Sequence, residues 1–151
     1  MRARDLATSF PTVDLDSDAW EAAQTLGAKA LPGLIVLAED STPFAVLPGS
    51  QVLRFVIPQY VQDDPTLARV YSEKAAEELC RELTGKRVRD LLPKRDVQEV
   101  PVVDGDDTAM EVAALMARLH SPIVAVVDGG RMLGAITVSR LLGYLMPGEV
   151  S

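Results

Sequence analysis

The sequence predicts an α/β fold in which one small β-α-β-β-α unit occurs twice in tandem. One observation is a buried hairpin, because an apolar, β-branched run at 123–127 precedes an Asp-Gly-Gly turn and a second apolar run at 133–136. Another is a repeat: Val13 and Val103 lie 90 positions apart, and many of their neighbours match in the same way. A repeat this long that occurs only twice predicts two copies packed on each other rather than a solenoid.

Two helices are predicted to start at equivalent points of the repeat. The segment from Asp18 to Glu21 has the spacing of a capping box, and the segment from Thr108 to Glu111 has it 90 positions later. In each segment an oxygen-bearing side chain accepts from a free amide at the helix start, which contributes about 1 kcal/mol. The helix over 108–119 then carries apolar residues at helical spacing.

The remaining elements of each unit follow from apolar runs and helix breakers. In the first unit we expect a strand at 11–13, hairpin strands at 34–38 and 44–47, and a helix that ends before Pro58. In the second unit a helix is expected over 139–145. Helices must cover these hairpins, because two strands alone are not stable in water.

A helix is also predicted between the units. Asp64 and Pro65 form a good helix start, and apolar residues follow a 3.6-residue period until Gly85. We therefore expect one docked amphipathic helix over 67–83 with its charged side in solvent. The predicted division of the chain is a first unit at 1–61, a linker at 62–85 and a second unit at 86–151.

Composition excludes several classes of protein. The formal net charge of −7 argues against nucleic acid as the main partner, because nucleic-acid binders usually present a basic surface. The single cysteine, Cys80, cannot form an internal disulfide and suits a reducing cytoplasm. No apolar run approaches the roughly 20 residues of a membrane helix. We therefore expect a cytoplasmic protein that does not bind membranes.

The sequence offers little for catalysis or metal binding. His120 is the only histidine, it lies at a predicted helix end, and it has no cysteine cluster to complete a zinc site. Acidic residues alternate from Asp14 to Asp18 as in a calcium loop, but Ala19 and Thr25 stand where that loop needs glycine and glutamate. Glycine-rich phosphate loops and the G-x-S-x-G pattern are missing. We therefore predict no catalytic residues and no metal, and an enzyme with a dispersed site is the disfavoured alternative.

These elements carry a family resemblance. The order of strand, helix, Pro-Ile-Val-Ala-Val-Val-Asp at 122–128, Gly-Gly-Arg at 129–131, Leu-Gly-Ala-Ile-Thr at 133–137 and an apolar helix resembles the CBS domain, named after cystathionine β-synthase. Two units in tandem resemble a stand-alone CBS pair over nearly the whole chain. The resemblance implies two α/β units packed about a pseudo-twofold axis. It also implies a non-catalytic regulatory or sensor module, with a pure protein-interaction module as the alternative.

The resemblance further implies clefts between the units that take adenosine-containing ligands such as AMP, ADP or ATP, with no other cofactor. In the family, the second strand of the hairpin ends in Gly, two apolar residues, Thr or Ser, two variable residues and an Asp that binds ribose. The predicted ligand-binding residues are Thr137, Ser139, Arg140, Val100, Pro101, Ile123 and Val124 for the second unit, and Thr12, Val13, Gly33, Leu34 and Gln51 for the first.

Both units depart from the family's ribose motif. Arg140 and Gln51 stand in place of the aspartate, and Pro48 replaces the threonine of the first unit. Arginine only donates hydrogen bonds and is positively charged, so it suits a phosphate or another anion better than ribose hydroxyls. A surface salt bridge is the alternative role for Arg140.

Two surface features remain. The short helices at the end of each unit carry apolar residues, among them Leu53 and Leu142, and CBS pairs commonly assemble as discs of two pairs. We therefore expect a homodimer formed through these helices. The segment 86–95 is rich in lysine and arginine, for which a solvated face and a phosphate contact are both open interpretations.

Overall fold

A computed structural model describes residues 1–93, 100–146 and 148 of the protein. The elements up to the end of the first unit are helix α1 (Ala3–Leu6), strand β1 (Thr12–Asp14), helix α2 (Ala19–Ala28), strands β2 (Gly33–Leu37) and β3 (Pro43–Pro48), and helix α3 (Gly49–Val56). The predicted cap of α2 is confirmed, because the Asp18 carboxylate accepts from the Glu21 amide at 3.0 Å. Local capping therefore sets the start of this helix.

The segment between the units is not the single helix predicted over 67–83. It consists of helix α4 (Gln59–Asp63), a 3-10 helix (Pro65–Val70), helix α5 (Glu73–Cys80) and a second 3-10 helix (Arg81–Leu83). The prediction was wrong because Tyr71 is extended and Ser72 starts a new helix by accepting from the Ala75 amide at 3.1 Å. Val70, which the helical period placed on a buried face, is 84% exposed.

Two contacts fasten this segment. Val61 and Leu83 are buried, and Leu83 lies in the hydrophobic core of the first unit. The hydroxyl groups of Tyr60 and Tyr71 lie 2.6 Å apart, and this hydrogen bond raises the pKa of Tyr71 above its ordinary value. The segment is therefore attached at its ends, while its middle is exposed.

The second unit repeats the first. Its elements are helix α6 (Val88–Leu91), strand β4 (Val102–Asp104), helix α7 (Ala109–Leu119), strands β5 (Ile123–Asp128) and β6 (Arg131–Thr137), and helix α8 (Val138–Leu145). Thr108 and Glu111 form the predicted capping box, with both hydrogen bonds at 3.2 Å. The α/β class and the duplication predicted from the sequence are confirmed.

Each unit contains a three-stranded sheet with the same topology. The central strand, β2 or β5, pairs in parallel with the first strand and antiparallel with the third. The register also repeats, since Val13 pairs with Val36 and Val103 pairs with Val126. Each hairpin has a bulge at the same place, directly after Val36 and directly after Val126.

Both faces of the sheets are buried, which explains the continuous apolar runs. Leu34 and Val36 of β2 lie in a core with α2 and α3, and the equivalent residues of β5 lie in a core with α7 and α8. The alternate residues Ile35, Ile123 and Ala125 form a third core where the two sheets meet. The two units are therefore joined by their sheets, with helices on the outside.

The short helix that precedes the first strand of each unit, called here its lead-in helix, packs on the opposite unit. We call this arrangement the exchange of lead-in helices. Helix α1 packs in the core of the second unit through Ala3 and Leu6, and helix α6 packs in the core of the first unit through Val88 and Leu91. The Ala3 amide donates to the Asp107 carbonyl at 2.8 Å. The Val88 amide donates to the Ser17 carbonyl at 2.9 Å.

The repeated Arg-Asp-Leu sequence at 4–6 and 89–91 belongs to this exchange. Arg4 pairs with Asp106 at 2.8 Å, and Arg89 pairs with Asp16 at 2.7 Å, so each arginine reaches the opposite unit. The exchange is reciprocal, as a pseudo-twofold relation between the units requires. The sequence boundaries of the units stay a prediction; the packing shows that each short helix serves the other unit's core.

Gly134 allows the chain before β1 to join the second sheet. Thr8 pairs with Ala135 through two backbone hydrogen bonds of 2.9 Å, and a Cβ atom on Gly134 would lie 2.6 Å from the Thr8 carbonyl oxygen. We expect Gly134→Ala to lower the free energy of unfolding by about 1–3 kcal/mol in urea denaturation, because the backbone must move. Gly27→Ala is the matched control.

Gly27 lies in α2, and a Cβ atom there meets nothing within 4 Å. Because alanine favours a helix over glycine, Gly27→Ala is expected to raise the free energy of unfolding by up to about 0.5–1 kcal/mol. If the two variants changed stability in the same direction, the close approach of Thr8 to β6 would be incorrect.

Candidate functional site

An open cleft of about 310 Å³ lies between the two units. The first unit supplies one wall from β3, and the second unit supplies the other from the chain before β4 and the turn before β5. The lining residues are Phe44, Ala45, Val46, Pro48, Val100, Pro101, Leu119, His120, Ser121 and Pro122. Because both units contribute, a molecule that fills the cleft would contact both.

Phe44 reaches the rim of the cleft because of the bulge in the first hairpin. The pairing passes from Val36 with Ala45 to Leu37 with Pro43, so Phe44 has no partner across the strands. A bulge residue leaves the normal alternation and can be aimed elsewhere. Phe44 is 47% exposed and is the aromatic residue in the lining of the cleft.

The opposite wall is held by backbone hydrogen bonds. The Ala125 amide donates to the Pro101 carbonyl at 2.9 Å, which ties the chain before β4 to the central strand. The Val138 amide donates to the Pro122 carbonyl at 3.1 Å, which ties the start of α8 to the turn. These bonds give the cleft one fixed wall.

His120 and Ser121 are the polar residues of this wall. His120 ends α7 as the sequence predicted, and its φ of 52° is left-handed. The Ser121 hydroxyl donates to the Ile123 carbonyl, and the Ser121 amide donates to the Met116 carbonyl at 3.1 Å. The cleft thus combines an apolar surface with an imidazole and a hydroxyl, which is a pattern typical of sites for small ligands with a flat apolar face.

The structure places some of the predicted cleft residues at the cleft and others in the hydrophobic cores. Val100 and Pro101 line the cleft as expected. Ile123, Val124 and Leu34 have 0% exposure, because their strands are covered on both faces. Ile123 lies in the core between the two sheets, whereas Leu34 and Val124 lie in the cores on the helix-covered faces.

The predicted residues at the start of the first unit lie along β1 and β2. Thr12 is exposed and is paired with Ile35, while Val13 is half-buried against the first core. Gly33 is buried, and a Cβ atom there would lie 2.9 Å from the Leu47 carbonyl oxygen. Glycine is therefore needed at this position for the close approach of β3, whatever its role toward a ligand.

Arg140 and Gln51, which replace the expected aspartates, make equivalent contacts. The Arg140 Nε donates to the Leu6 carbonyl at 2.7 Å, and the Gln51 Nε2 donates to the Leu91 carbonyl at 2.9 Å. Each holds the last residue of a lead-in helix. An aspartate could not donate to a carbonyl, so the departure from the motif matches a change of partner.

Thr137 and Ser139 lie at the start of α8. The Thr137 Oγ1 accepts from the Arg140 amide at 3.3 Å and lies 3.2 Å from the Ser139 Oγ. Thr137 is therefore a helix cap, and its hydroxyl keeps the capacity for a further hydrogen bond. Whether the predicted residues bind a ligand stays a prediction.

Sequence reasoning missed Phe44 and the turn from His120 to Pro122 as cleft residues. The signal for Phe44 was weak, because a bulge interrupts the alternation from which a strand residue's direction is predicted. The turn was recognised only as a connection between α7 and β5. Its place opposite β3 depends on how the two sheets pack.

The described residues also bear on metal binding and on membrane-spanning helices. Within residues 1–93, 100–146 and 148, no group of three or more His, Cys, Asp or Glu side chains is placed to hold a metal ion. In the same part of the chain, no helix has the length and hydropathy needed to cross a membrane.

Comparison with known proteins identifies the family. A profile of the CBS domain matches residues 88–147. A CBS domain-containing protein of unknown function from Kribbella flavida is 53% identical, with a TM-score of 0.83 over 96% of this chain and 98% of that chain. The chain belongs to the CBS-domain family. The resemblance drawn from the hairpin motifs is thereby confirmed, and the two units are the halves of a CBS pair.

More distant CBS proteins share the fold. The structure of CBSX2 in complex with AMP is 19% identical, with a TM-score of 0.66 over 96% of each chain. The CBS domain of a CBS domain-containing membrane protein from Sphaerobacter thermophilus is 21% identical, with a TM-score of 0.70 over 98% of this chain and 90% of that chain. No curated protein sequence matches this chain.

Proposed function

We propose that this CBS pair is a non-catalytic sensor that binds an adenine nucleotide in the cleft between its units. The observation that carries the proposal is that the half-exposed Phe44 lines the same cleft as His120 and Ser121. An adenine ring has a flat face that stacks on an aromatic side chain and polar edges that form hydrogen bonds. The cleft offers partners for both.

Two further points support the proposal. CBS-pair proteins are generally regulatory modules without catalysis, and CBSX2, which has the same fold, was solved with AMP. The cleft walls come from different units, so a ligand that contacts both would favour one arrangement of the units over others. Such a differential affinity is the physical requirement for a sensor.

The test is calorimetric titration with adenosine, AMP, ADP and ATP. We expect at least one of them to bind, and we expect Phe44→Ala to weaken that binding by about 1–3 kcal/mol, the range for base stacking on an aromatic residue. Leu133→Ala is the matched control. Leu133 is the bulge residue of the second hairpin, is 45% exposed and does not line this cleft.

The comparison of Phe44→Ala with Leu133→Ala decides whether the nucleotide binds in the cleft. Equal losses in Phe44→Ala and Leu133→Ala, or no binding of any of the four ligands, would contradict the proposal. Arg140 does not line this cleft, so Arg140→Ala is a separate arm of the test. If Arg140 contacts a ligand phosphate, the variant should weaken the binding of AMP, ADP and ATP by about 1.5–3 kcal/mol and leave the binding of adenosine unchanged.

A protein-interaction module without a ligand is the second candidate function. It is favoured by the contacts of Arg140 and Gln51, because both residues at the family's aspartate positions are hydrogen-bonded to lead-in helices. Apolar helix faces supply the surface for such a role. A groove of about 450 Å³ lies between α2 and α3, and a similar one of about 510 Å³ lies between α7 and α8.

A second copy of this chain is the occupant that we propose for these grooves. Leu53 is 60% exposed in the first groove, and Leu142 is 47% exposed at the equivalent place in the second. Equivalent apolar faces on two pseudo-symmetric units suit a symmetric homodimer, in which both copies contribute the same surface to the contact. The two candidate functions are compatible with this assembly.

We expect a dimer in sedimentation at micromolar concentration, and we expect the double variant Leu53→Glu, Leu142→Glu to be monomeric because it places charges in the apolar contact. Met110→Glu is the control, since Met110 is 68% exposed on α7 and lies outside the groove. A wild-type monomer, or dissociation by the control variant as well, would contradict this mode of assembly.

A further inference from the structure

A larger groove of about 700 Å³ lies apart from the cleft, where α3 and α4 face the lead-in helix α6. Its lining includes three cationic side chains, those of Arg54, Lys86 and Arg89, and one carboxylate, that of Asp90. The chain as a whole has a formal net charge of −7. The groove therefore reverses the overall sign of the protein, which favours a negatively charged ligand at this place.

The charges of the groove differ in how they are used. Arg89 donates to Asp16 through Nε at 2.8 Å and also pairs with it through its terminal nitrogen at 2.7 Å. The Asp90 carboxylate accepts from the Arg87 amide at 2.9 Å and caps its own helix. Both groups therefore serve the packing of α6.

Arg54 and Lys86 differ from Arg89 in their ion pairs. Within residues 1–93 and 100–146, no carboxylate lies within ion-pair distance of either side chain. Their backbones are nevertheless fixed, because the Arg54 carbonyl accepts from Gln62 at 3.1 Å and the Lys86 carbonyl accepts from the Ala19 amide at 2.9 Å. Arg54 and Lys86 thus line one groove without a carboxylate partner among residues 1–93 and 100–146.

Comparison of the two units shows which cations of the groove are repeated in both units: Arg89 is, whereas Arg54 and Lys86 are not. Arg89 corresponds to Arg4, and both make the same type of ion pair with the opposite unit. Arg54 of α3 corresponds to Gly143 of α8, and Lys86, two residues before α6, corresponds to Met1, two residues before α1. The repeat fold therefore requires the arginine of the lead-in helix but neither Arg54 nor Lys86.

We propose that the groove between α3, α4 and α6 is a binding site for a phosphate chain, separate from the nucleotide cleft. Arg54 supplies a planar guanidinium that can bind two phosphate oxygens together, and Lys86, which lines the same groove, supplies a point charge on a flexible side chain. The ligand class is a linear polyphosphate, either free or as the phosphate end of a nucleotide. The site does not depend on Phe44 or on occupation of the cleft.

The experiment is a titration of the full chain with tripolyphosphate, followed by NMR through the amide signals of Gln59 and Gln62 in the groove. We expect saturable shifts there at low ionic strength. The double variant Arg54→Gln, Lys86→Gln is expected to weaken binding roughly tenfold or more, because hydrogen bonds to charged groups are lost. The control Lys29→Gln, Arg131→Gln removes the same charge from exposed positions elsewhere and should change affinity by less than about twofold.

Adenosine, ATP and Phe44→Ala complete the test. Adenosine should leave the groove signals unchanged, and Phe44→Ala should bind tripolyphosphate like the native protein. If ATP shifts the groove signals as strongly as tripolyphosphate, the phosphate end of a nucleotide is a source of the ligand; if only tripolyphosphate does, the ligand is a free chain. Absence of groove shifts, equal weakening by both double variants, or dependence of tripolyphosphate binding on Phe44 would overturn the proposal.

Discussion

Replacing Ile123 by alanine is expected to lower the free energy of unfolding by about 2–5 kcal/mol, the range for large-to-small changes in a close-packed core. Ile123 has 0% exposure and lies with Ile35, Ala125 and Ala135 where the two sheets meet. Its loss leaves a cavity between the units that neither sheet can close alone. Urea denaturation measures the effect.

The control for Ile123→Ala is Met110→Ala, a surface change that should stay within about 0.5 kcal/mol of the native protein. The variant also separates two roles for Ile123. If it bound ligand as the sequence predicted, the substitution would weaken nucleotide binding and leave stability almost unchanged. Such a result would contradict the buried position between the sheets.

Leu91→Ala is expected to have a similarly large effect, about 2–5 kcal/mol, but with a characteristic location. Leu91 is 1% exposed in α6 and packs in the core of the first unit, although it follows the linker in sequence. Hydrogen exchange should therefore become faster in α2 of the first unit than in α7 of the second. Local opening is governed by the contacts of each core, so the rate of amide exchange should increase in the unit against which the side chain packs.

Leu6→Ala is the reciprocal variant. Leu6 is 3% exposed and packs in the core of the second unit, so its loss should increase exchange in α7 more than in α2. The two variants thus control for each other. If each increased exchange mainly in the unit nearest to it in sequence, the exchange of lead-in helices would be wrong.

This exchange bears on the proposed sensor function. Arg140 and Gln51 link the helix that follows each hairpin to the lead-in helix packed on the same unit. A ligand phosphate that attracted Arg140 would compete with the Leu6 carbonyl for the same guanidinium. Binding of such a phosphate and packing of α1 would then be coupled, and calorimetry with Arg140→Ala addresses this coupling directly.

Much of the fold was predictable from local sequence patterns. The caps at Asp18 and Thr108 were recognisable because they depend on residues three positions apart. The hairpin turn was recognisable because Gly129 and Gly130 adopt φ values of 59° and 82°, which glycine adopts readily. The duplication was visible because equivalent strands need equivalent apolar patterns, and it led to the correct family.

The errors and omissions concern interactions between distant parts of the chain. The apolar period over 67–83 predicted a single helix, but the cap at Ser72 starts a new helix and Val70 is 84% exposed. Helical period reports an amphipathic face, whereas burial requires a neighbour to pack against it.

The candidate site depended on tertiary structure to a still greater extent. Val100 and Pro101 were predicted from the family resemblance, but Phe44 reaches them through a bulge and through the packing of one sheet on the other. Arg140 was expected to face a ligand, and its partner is the carbonyl of Leu6, 134 positions away. Residue types and spacing set the local elements, whereas contacts of such long range form only when the whole chain has packed, because no local pattern encodes them.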